Sequence, residues 1–346
     1  AILDAEGIPW ESVEPMPGRG SLWAVLEGGD EPPLILLNHT DVVPADASQW
    51  DHPPLSGVID RGYVYGRGAL DMKSLGIAQL QAFIALERAV EAGARLNRDV
   101  IFAATADEEA GGRVGAGWLV QNRPEVFARP GSVLLNEGGG STRYPDGTVV
   151  VGIETTQKIP LWLRLQVRAR PSHGSAPRAH TAVNRLIRGL ARLADTEFEV
   201  RVNDEVQTSF SGSADTLPAH LAEGASDLRS AVDDREFLMN LRTYSPWQAA
   251  QLRSTCSITR LGGSTKINTI PGVAWAEVDC RLLPDEDPEA FTQRIAEIFN
   301  DPNVSVIPLL SFTPAVSPMD STLFETLGRV MRSDLEGSRV LPTMST

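Results

Sequence analysis

Three short apolar runs in this chain each end in groups that can hold a divalent cation. Leu34-Ile35-Leu36-Leu37 runs into Asn38-His39-Thr40-Asp41, and Val100-Ile101-Phe102-Ala103-Ala104 runs towards Asp107-Glu108-Glu109. Ser132-Val133-Leu134-Leu135 runs into Asn136-Glu137-Gly138-Gly139-Gly140. A fourth acid, Asp71, lies in Gly66-Arg67-Gly68-Ala69-Leu70-Asp71-Met72-Lys73, at the mouth of a helix that begins near Ser74. Singly, each has an ordinary structural role: acids favour helix N-termini and caps, and a glycine run can be a plain turn. Together they point elsewhere, because carboxylates gathered in one crevice repel one another unless cations neutralise them. One imidazole with several carboxylates suits zinc, with cobalt or manganese as substitutes.

The chemistry assigns roles. His39 is a metal ligand, and Asp41, two residues on, is placed to accept the other ring N–H and fix its tautomer. Asp71 would bridge two metals, as two-metal hydrolases require. Glu137 completes the site of the His39 metal and Glu109 binds the second. Glu108 is left as general base for a metal-activated water. The second metal lacks a neutral ligand in this reading. Of the other histidines, His52 reads as a loop residue, and surface or capping roles are the default for His180 and His220. His173, in Arg170-Pro171-Ser172-His173-Gly174-Ser175, is either a turn residue or a donor to a substrate carbonyl oxygen as it gains charge.

The elements that must position these groups follow from periodicity. Unbroken short apolar runs fit strands buried on both faces of a parallel sheet, and in such sheets sites lie beyond the carboxyl ends of the strands. Between the first two runs, Ser74 to Val90 reads as a helix through Leu75, Ala78, Leu80, Phe83, Ile84 and Ala85, stopping at Gly93. Trp118 to Phe127 is a weaker helix. The pattern is the βαβ grammar of an α/β domain. Near residue 159 it changes: Leu161 to Arg168 alternates strictly, as a half-exposed strand should. A helix with Ala182, Val183, Leu186, Ile187, Leu190 and Leu193 on one face follows. Strands over Thr255 to Leu261 and Val273 to Leu282, a helix over Pro288 to Phe299 and a strand over Val304 to Leu309 complete a β-α-β-β-α-β order, the ferredoxin-like signature. Residues 200 to 250 interrupt it as a helical insertion. A helix over Ser321 to Arg332 and a strand at Val340-Leu341 read as the first domain resuming. The expected fold is therefore α/β: a catalytic domain over 1–158 and 313–346, with a mostly parallel central sheet flanked by helices, interrupted over 159–312 by a ferredoxin-like lid or dimerisation domain.

Bulk properties narrow the function classes. The 346 residues are 42% hydrophobic and 22% charged, ordinary for a globular protein. A formal net charge of -14 argues against a nucleic-acid partner, which would want a basic stripe. The two cysteines, Cys256 and Cys280, give no disulfide framework or thiolate metal site that the sequence reveals. No apolar run approaches the roughly 18 residues that span a bilayer, and a cytoplasmic location is expected. Ala1 to Gly7 reads as the end of a helix, so the chain is expected to be truncated at its start.

The motifs resemble the zinc metallopeptidase family of aminoacylases, acetylornithine deacetylase, succinyl-diaminopimelate desuccinylase and glutamate carboxypeptidase. The resemblance is carried by His39-Thr40-Asp41-Val42-Val43-Pro44, Tyr65-Gly66-Arg67-Gly68-Ala69-Leu70-Asp71-Met72-Lys73, Asp107-Glu108-Glu109, Asn136-Glu137-Gly138-Gly139 and Ser172-His173-Gly174-Ser175. Pro53-Pro54-Leu55-Ser56-Gly57 and Asn268-Thr269-Ile270-Pro271-Gly272 also fit, so the match spans most of the chain in the family's order. It implies a catalytic domain split by a lid that commonly dimerises, and a His173 that reaches the partner subunit's site. It also implies an Asn268 that helps hold substrate, and a cis peptide at Asp71–Met72. Glu at position 137 resembles the aminoacylase and carboxypeptidase branch. The family's last histidine ligand would lie beyond Thr343-Met344-Ser345-Thr346, so the second zinc is expected to lack it here and this fragment to be inactive.

The function expected is hydrolysis of an amide or peptide bond in an N-acyl amino acid or small peptide by a di-zinc enzyme, acting as a homodimer. The alternative is a non-catalytic dimerising or binding protein on the same scaffold, against which the intact Glu108 speaks. A two-metal phosphatase or nuclease is disfavoured by the lack of a basic phosphate cradle.

Overall fold

The computed structural model describes residues 1–346, which form two compact units, Ala1–Glu137 and Gly138–Thr346. In the first unit a short helix α1 (Ile2–Ala5) precedes strands β1 (Glu11–Met16), β2 (Arg19–Leu26) and β3 (Glu31–His39). A small hairpin of β4 (Val58–Asp60) and β5 (Tyr63–Tyr65) leads to helix α2 (Ser74–Glu91) and strand β6 (Arg98–Thr105). Helices α3 (Ala116–Asn122) and α4 (Pro124–Phe127) and strand β7 (Val133–Leu135) complete it.

The sheet order is β1-β2-β6-β3-β7. The three strands read from apolar runs are parallel neighbours, with β3 between β6 and β7. The connection leaves β3 for β6 on one side, then crosses to β7 on the other. That reversal opens a crevice beyond the carboxyl ends, between β3 and β7. The antiparallel hairpin β1–β2, which extends the β6 edge, was not anticipated. Pro15 spoils the alternation of β1, but Pro17-Gly18, between the paired residues Met16 and Arg19, is a readable turn signal. Gly18 takes φ 77°, which the turn needs and a side chain would resist.

Helix α2 packs Leu80, Phe83 and Ile84 on the sheet residues Leu36, Val100 and Phe102. Its buried stripe runs Gly76, Gln79, Leu80, Phe83, Ile84. The apolar Ala78 and Ala85 of the sequence pattern face outwards, and a glutamine takes a core position instead.

The second unit holds strands β8 (Gly140–Arg143), β9 (Val149–Gln157), β10 (Ile159–Arg168) and β11 (Ser172–His173), then helix α5 (Ala182–Ala194). Five helices fill the expected insertion: α6 (Asp204–Ser213), α7 (Ala219–Ser226), α8 (Leu228–Ala231), α9 (Arg235–Tyr244) and α10 (Pro246–Ala250). They share an apolar core around Phe210, Leu221, Leu228 and Leu241. Strands β12 (Thr255–Gly262), β13 (Thr269–Ile270) and β14 (Val273–Leu282), helix α11 (Pro288–Phe299), strand β15 (Val304–Ser311), helix α12 (Thr322–Asp334) and strand β16 (Arg339–Ser345) follow. The sheet order β12-β14-β10-β15, antiparallel throughout, is the ferredoxin-like arrangement. Alternate residues Leu161, Leu163, Leu165 and Val167 of β10 pack under α5 and α11. Strand β16 pairs parallel with β9, which β8 flanks.

Register corrects one reading. Cys256 and Cys280 face each other across β12 and β14 and form a disulfide. Two cysteines 24 residues apart carry no such signal until the strand pairing is known. No helix is long and apolar enough to cross a membrane.

Lys158, between β9 and β10, is the unusual charge of this unit. It is 1% exposed, and its Nζ donates to the Ala250 and Arg253 carbonyls and to Thr255 Oγ1 at 2.8–3.0 Å. Burial, helped by nearby Arg281, lowers its pKa from 10.5 to about 7. A folded-state pKa below the unfolded one means that the unfolded chain binds more protons between those values, so stability rises with pH across that window. The gain is complete above 10.5 and lost as pH falls through about 7. Denaturant unfolding from pH 7 to 10 is expected to show this rise in the parent, and a flatter profile in Lys158→Met. Identical slopes would refute it.

Candidate metal centre

His39 is the last residue of β3 and is 3% exposed. Its Nδ1 lies 3.0 Å from the Asp41 carbonyl oxygen, which can only accept, so Nδ1 carries a proton and Nε2 is the ring atom that faces the crevice. Around Nε2 stand three carboxylates from three other segments. Asp71 Oδ1 is at 3.2 Å, Glu137 Oε1 at 3.3 Å and Glu108 Oε2 at 3.9 Å. Ligand atoms of His39, Glu108 and Glu137 lie within 4.8 Å of one another, and so do those of His39, Asp71 and Glu109.

Each group arrives from the terminus of an element. Asp71 sits in an irregular turn, Ala69–Lys73, that opens α2, and the Asp71–Met72 peptide is cis. Lys73 Nζ donates to the Thr40 carbonyl, tying this turn to the end of β3. Glu108 and Glu109 begin a 3-10 turn just after β6, entered through Asp107 at φ 72°. Glu137 follows β7 by two residues. Glu109 Oε1 also accepts the Val43 N–H at 3.2 Å.

Electrostatics bears out the crowding. Burial raises the Glu108 pKa, with Glu109, Asp41 and Asp71 adding to the effect against the opposing pull of His39. Burial also raises that of Glu137, beside Asp71 and Glu108. Burial alone would lower the His39 pKa, but Glu137, the Asp41 carbonyl, Glu108 and Asp41 outweigh it and the net shift is upward. A neutral imidazole nitrogen with several convergent carboxylate oxygens is a donor set that fits zinc.

Asp41 acts differently from the sequence expectation. Its carboxylate is 3.6 Å from the ring, and its backbone carbonyl is the nearer partner. The carboxylate instead accepts the backbone N–H groups of Glu108 and Glu109, each at 3.1 Å. Asp41 therefore holds both the imidazole and the turn that aims the two glutamates. His173 and Asn268 belong to the second unit and meet each other there. Strand β11 pairs with β13, His173 opposite Thr269, and Gly174 N–H donates to the Asn268 carbonyl at 2.8 Å. The Ser175 N–H and hydroxyl both reach His173 Nδ1, at 3.3 and 2.7 Å, which leaves the proton on Nε2. The sequence reading missed three polar residues buried behind the centre: Asn38, Gln79 and Thr105. The glutamine's place at i, i+3, i+4 spacing with Gly76, Leu80 and Phe83 was the available signal.

Residues 35–346 match the family model described as Peptidase family M20/M25/M40. The chain belongs to this family. It is 30% identical over 326 residues to an N-fatty-acyl-amino acid synthase/hydrolase, PM20D1, of Xenopus tropicalis, covering 90% of this chain and 60% of that protein. It is 28% identical over 296 residues to Aminoacylase-1 of Homo sapiens, covering 84% and 60%. The chain thus spans about 60% of the length of these curated relatives. Among solved structures, a metallo-carboxypeptidase of this family from Sulfolobus solfataricus superposes with a TM-score of 0.69 at 20% identity, covering 99% of this chain and 78% of that one. Human carnosine dipeptidase 1 gives 0.62 at 20% identity, covering 99% and 77%. Both likenesses show the fold.

The two bonds to Asp41 give a test. Asp41→Asn keeps one acceptor but turns an NH2 group towards the second backbone N–H, so the Glu108–Glu109 turn loses its anchor. Calorimetric zinc titration is expected to show a roughly 10–100-fold fall in affinity. An unchanged titration would remove this role from Asp41.

Proposed function

We propose that the whole protein hydrolyses an amide or peptide bond in an N-acyl amino acid or small peptide at a two-zinc centre. His39 and Glu137 would hold one ion and Glu109 the other, with Asp71 shared between them. The observation that carries this is the buried His39 Nε2 ringed at 3.2–3.9 Å by carboxylates from three different segments. Asp71 stands within reach of both Glu137 and Glu109, which supports the bridging role. Cobalt or manganese would suit the same donors. Bound zinc supplies polarisation of the scissile carbonyl and acidification of the attacking water.

The chain's own residues do the rest. Glu108 is the general base. It removes a proton from the attacking water and passes it to the leaving amine nitrogen. An upward-shifted carboxyl suits a group that must hold the proton between those two steps. His173, protonated on Nε2, donates to the carbonyl oxygen as charge builds there, and Asn268, brought beside it by the β11–β13 pairing, helps hold the substrate. An intact Glu108 supports an enzyme over a binding protein on the same scaffold. The names of the relatives, an acyl-amino acid hydrolase and an aminoacylase, support the N-acyl amino acid class.

The domain reading belongs to this proposal. The catalytic domain comprises 1–158 and 313–346, and the pairing of β16 with β9 supports its resumption after the ferredoxin-like domain. That domain, over 159–312, forms the homodimer, in which His173 serves the partner's site. Its sheet ends in two edge strands, β12 and β15, which are surfaces that can pair with a second copy. A cytoplasmic location is part of the same reading. The Cys256–Cys280 disulfide weighs against that part of the reading, because a reducing compartment would open it, and alkylation during extraction reads the state of the two cysteines.

Full-length protein loaded with zinc is expected to turn over N-acyl amino acids or dipeptides. Glu108→Gln should lower kcat by roughly 10²–10⁴-fold with zinc content unchanged. Full activity in that variant would dismiss Glu108 as the base, and a parent without bound metal would dismiss the enzyme reading.

A further inference from the structure

We infer that Gln79 is a positioning residue whose buried side-chain amide clamps together the two strand ends that carry His39 and Glu137. Strands β3 and β7 pair only from Leu34 opposite Val133 to Leu36 opposite Leu135. Beyond that the two strands no longer pair with each other. Gln79, 4% exposed on α2, fills the fork from behind. Its Nε2 donates to the Leu37 carbonyl at 3.2 Å and to the Leu135 carbonyl at 3.1 Å. Those carbonyls precede His39 and Glu137 by two residues each.

The amide oxygen is used as well, accepting from Asn38 Nδ2 at 3.0 Å. The Asn38 carbonyl in turn accepts from Thr105 Oγ1 at 3.2 Å, which carries the network to β6, the strand before Glu108 and Glu109. Helix α2 itself begins just after Asp71. One amide therefore fixes the ends of β3 and β7 against the helix whose mouth presents Asp71. Two N–H donors and one acceptor at this reach are specific to glutamine: glutamate has no donor when ionised, and methionine and leucine have none at all. Close approach is part of the arrangement. A methyl group at Gly76, one turn earlier, would lie 3.0 Å from Asn38 Oδ1. A β7 of three residues has little ladder of its own to hold Glu137 in place.

The consequence for metal affinity rests on the two-zinc reading; the clamp itself does not. Two measurements on full-length Gln79→Met separate them. Without metal, hydrogen exchange should speed up about tenfold at backbone amides of 37–40 and 135–138, because these lose fixed neighbours. The first half of β3 and the end of α2 should stay as in the parent. With zinc, the binding step abolished by Glu137→Ala should weaken roughly 10-fold or more, while the other step holds. Unchanged exchange at the strand ends overturns the clamp. Unchanged zinc steps beside a lowered Tm overturn the positioning role and leave a residue that only stabilises. A parent that binds no zinc sinks the proposed function, and the exchange result still decides the clamp. Should Gln79→Met not fold, Gly76→Ala, which presses on Asn38, is read by the same two measurements with the same outcomes.

Discussion

Repulsion among carboxylates is the constraint that organises the first unit. Asp71, Glu108 and Glu137 all approach one imidazole nitrogen, and like charges about 4 Å apart repel by about 4 kcal/mol at an effective dielectric constant of 20. Burial, with the neighbouring carboxylates adding to it, pushes Glu108 and Glu137 towards holding a proton, and the carboxylates do the same to His39 against its burial. Positive charge is what the cluster lacks. Protons supply it one at a time, whereas a divalent cation between the same oxygens supplies it at once and leaves the imidazole neutral.

Such a cluster cannot hold itself together, because its members push apart. The surrounding contacts that oppose this are hydrogen bonds to backbone. Asp41 grips the N–H groups that open the Glu108–Glu109 turn. Lys73 reaches back to the Thr40 carbonyl, and Gln79 joins the Leu37 and Leu135 carbonyls. Backbone is the effective handle. A bond to the main chain fixes where a ligand starts without competing for the lone pairs that the ligand must offer.

The clustering of His39, Glu108, Glu109 and Glu137 was legible in the sequence because each follows a short apolar run, and such runs are strands whose ends the parallel topology gathers; Asp71 joins them from the mouth of a helix. The ferredoxin-like unit was legible because strict alternation and helical periodicity follow one another in a recognised order. What escaped has a common cause: it depends on partners distant in sequence. Asp41 was assigned to His39 because they are two residues apart, yet its carboxylate serves amides 67 and 68 residues away. The Cys256–Cys280 pair appears only once β12 and β14 are in register. Gln79 looks like an ordinary polar helix residue until the buried stripe shifts by one position, from Leu75 and Ala78 to Gly76 and Gln79. The hairpin of residues 11–26 was hidden by a proline in one strand, although its turn was marked.

Three polar side chains that support these units follow one rule. Gln79 sits where β3 and β7 part, Asp41 where the turn after β6 begins, and Lys158 beside the end of α10, where Ala250 and Arg253 present carbonyls. Regular elements satisfy their own backbone groups except at their ends, and an orphaned buried group costs about 1–3 kcal/mol. Element ends are therefore the places where a buried polar side chain is favoured rather than penalised. They are also where the chain turns and successive side chains point in different directions, as Glu108 and Glu109 do. The same geometry that leaves backbone groups unpaired thus creates both the demand for supporting residues and the space for reactive ones. In this fold the two are met side by side: a charged cluster in the crevice, and a neutral network directly behind it.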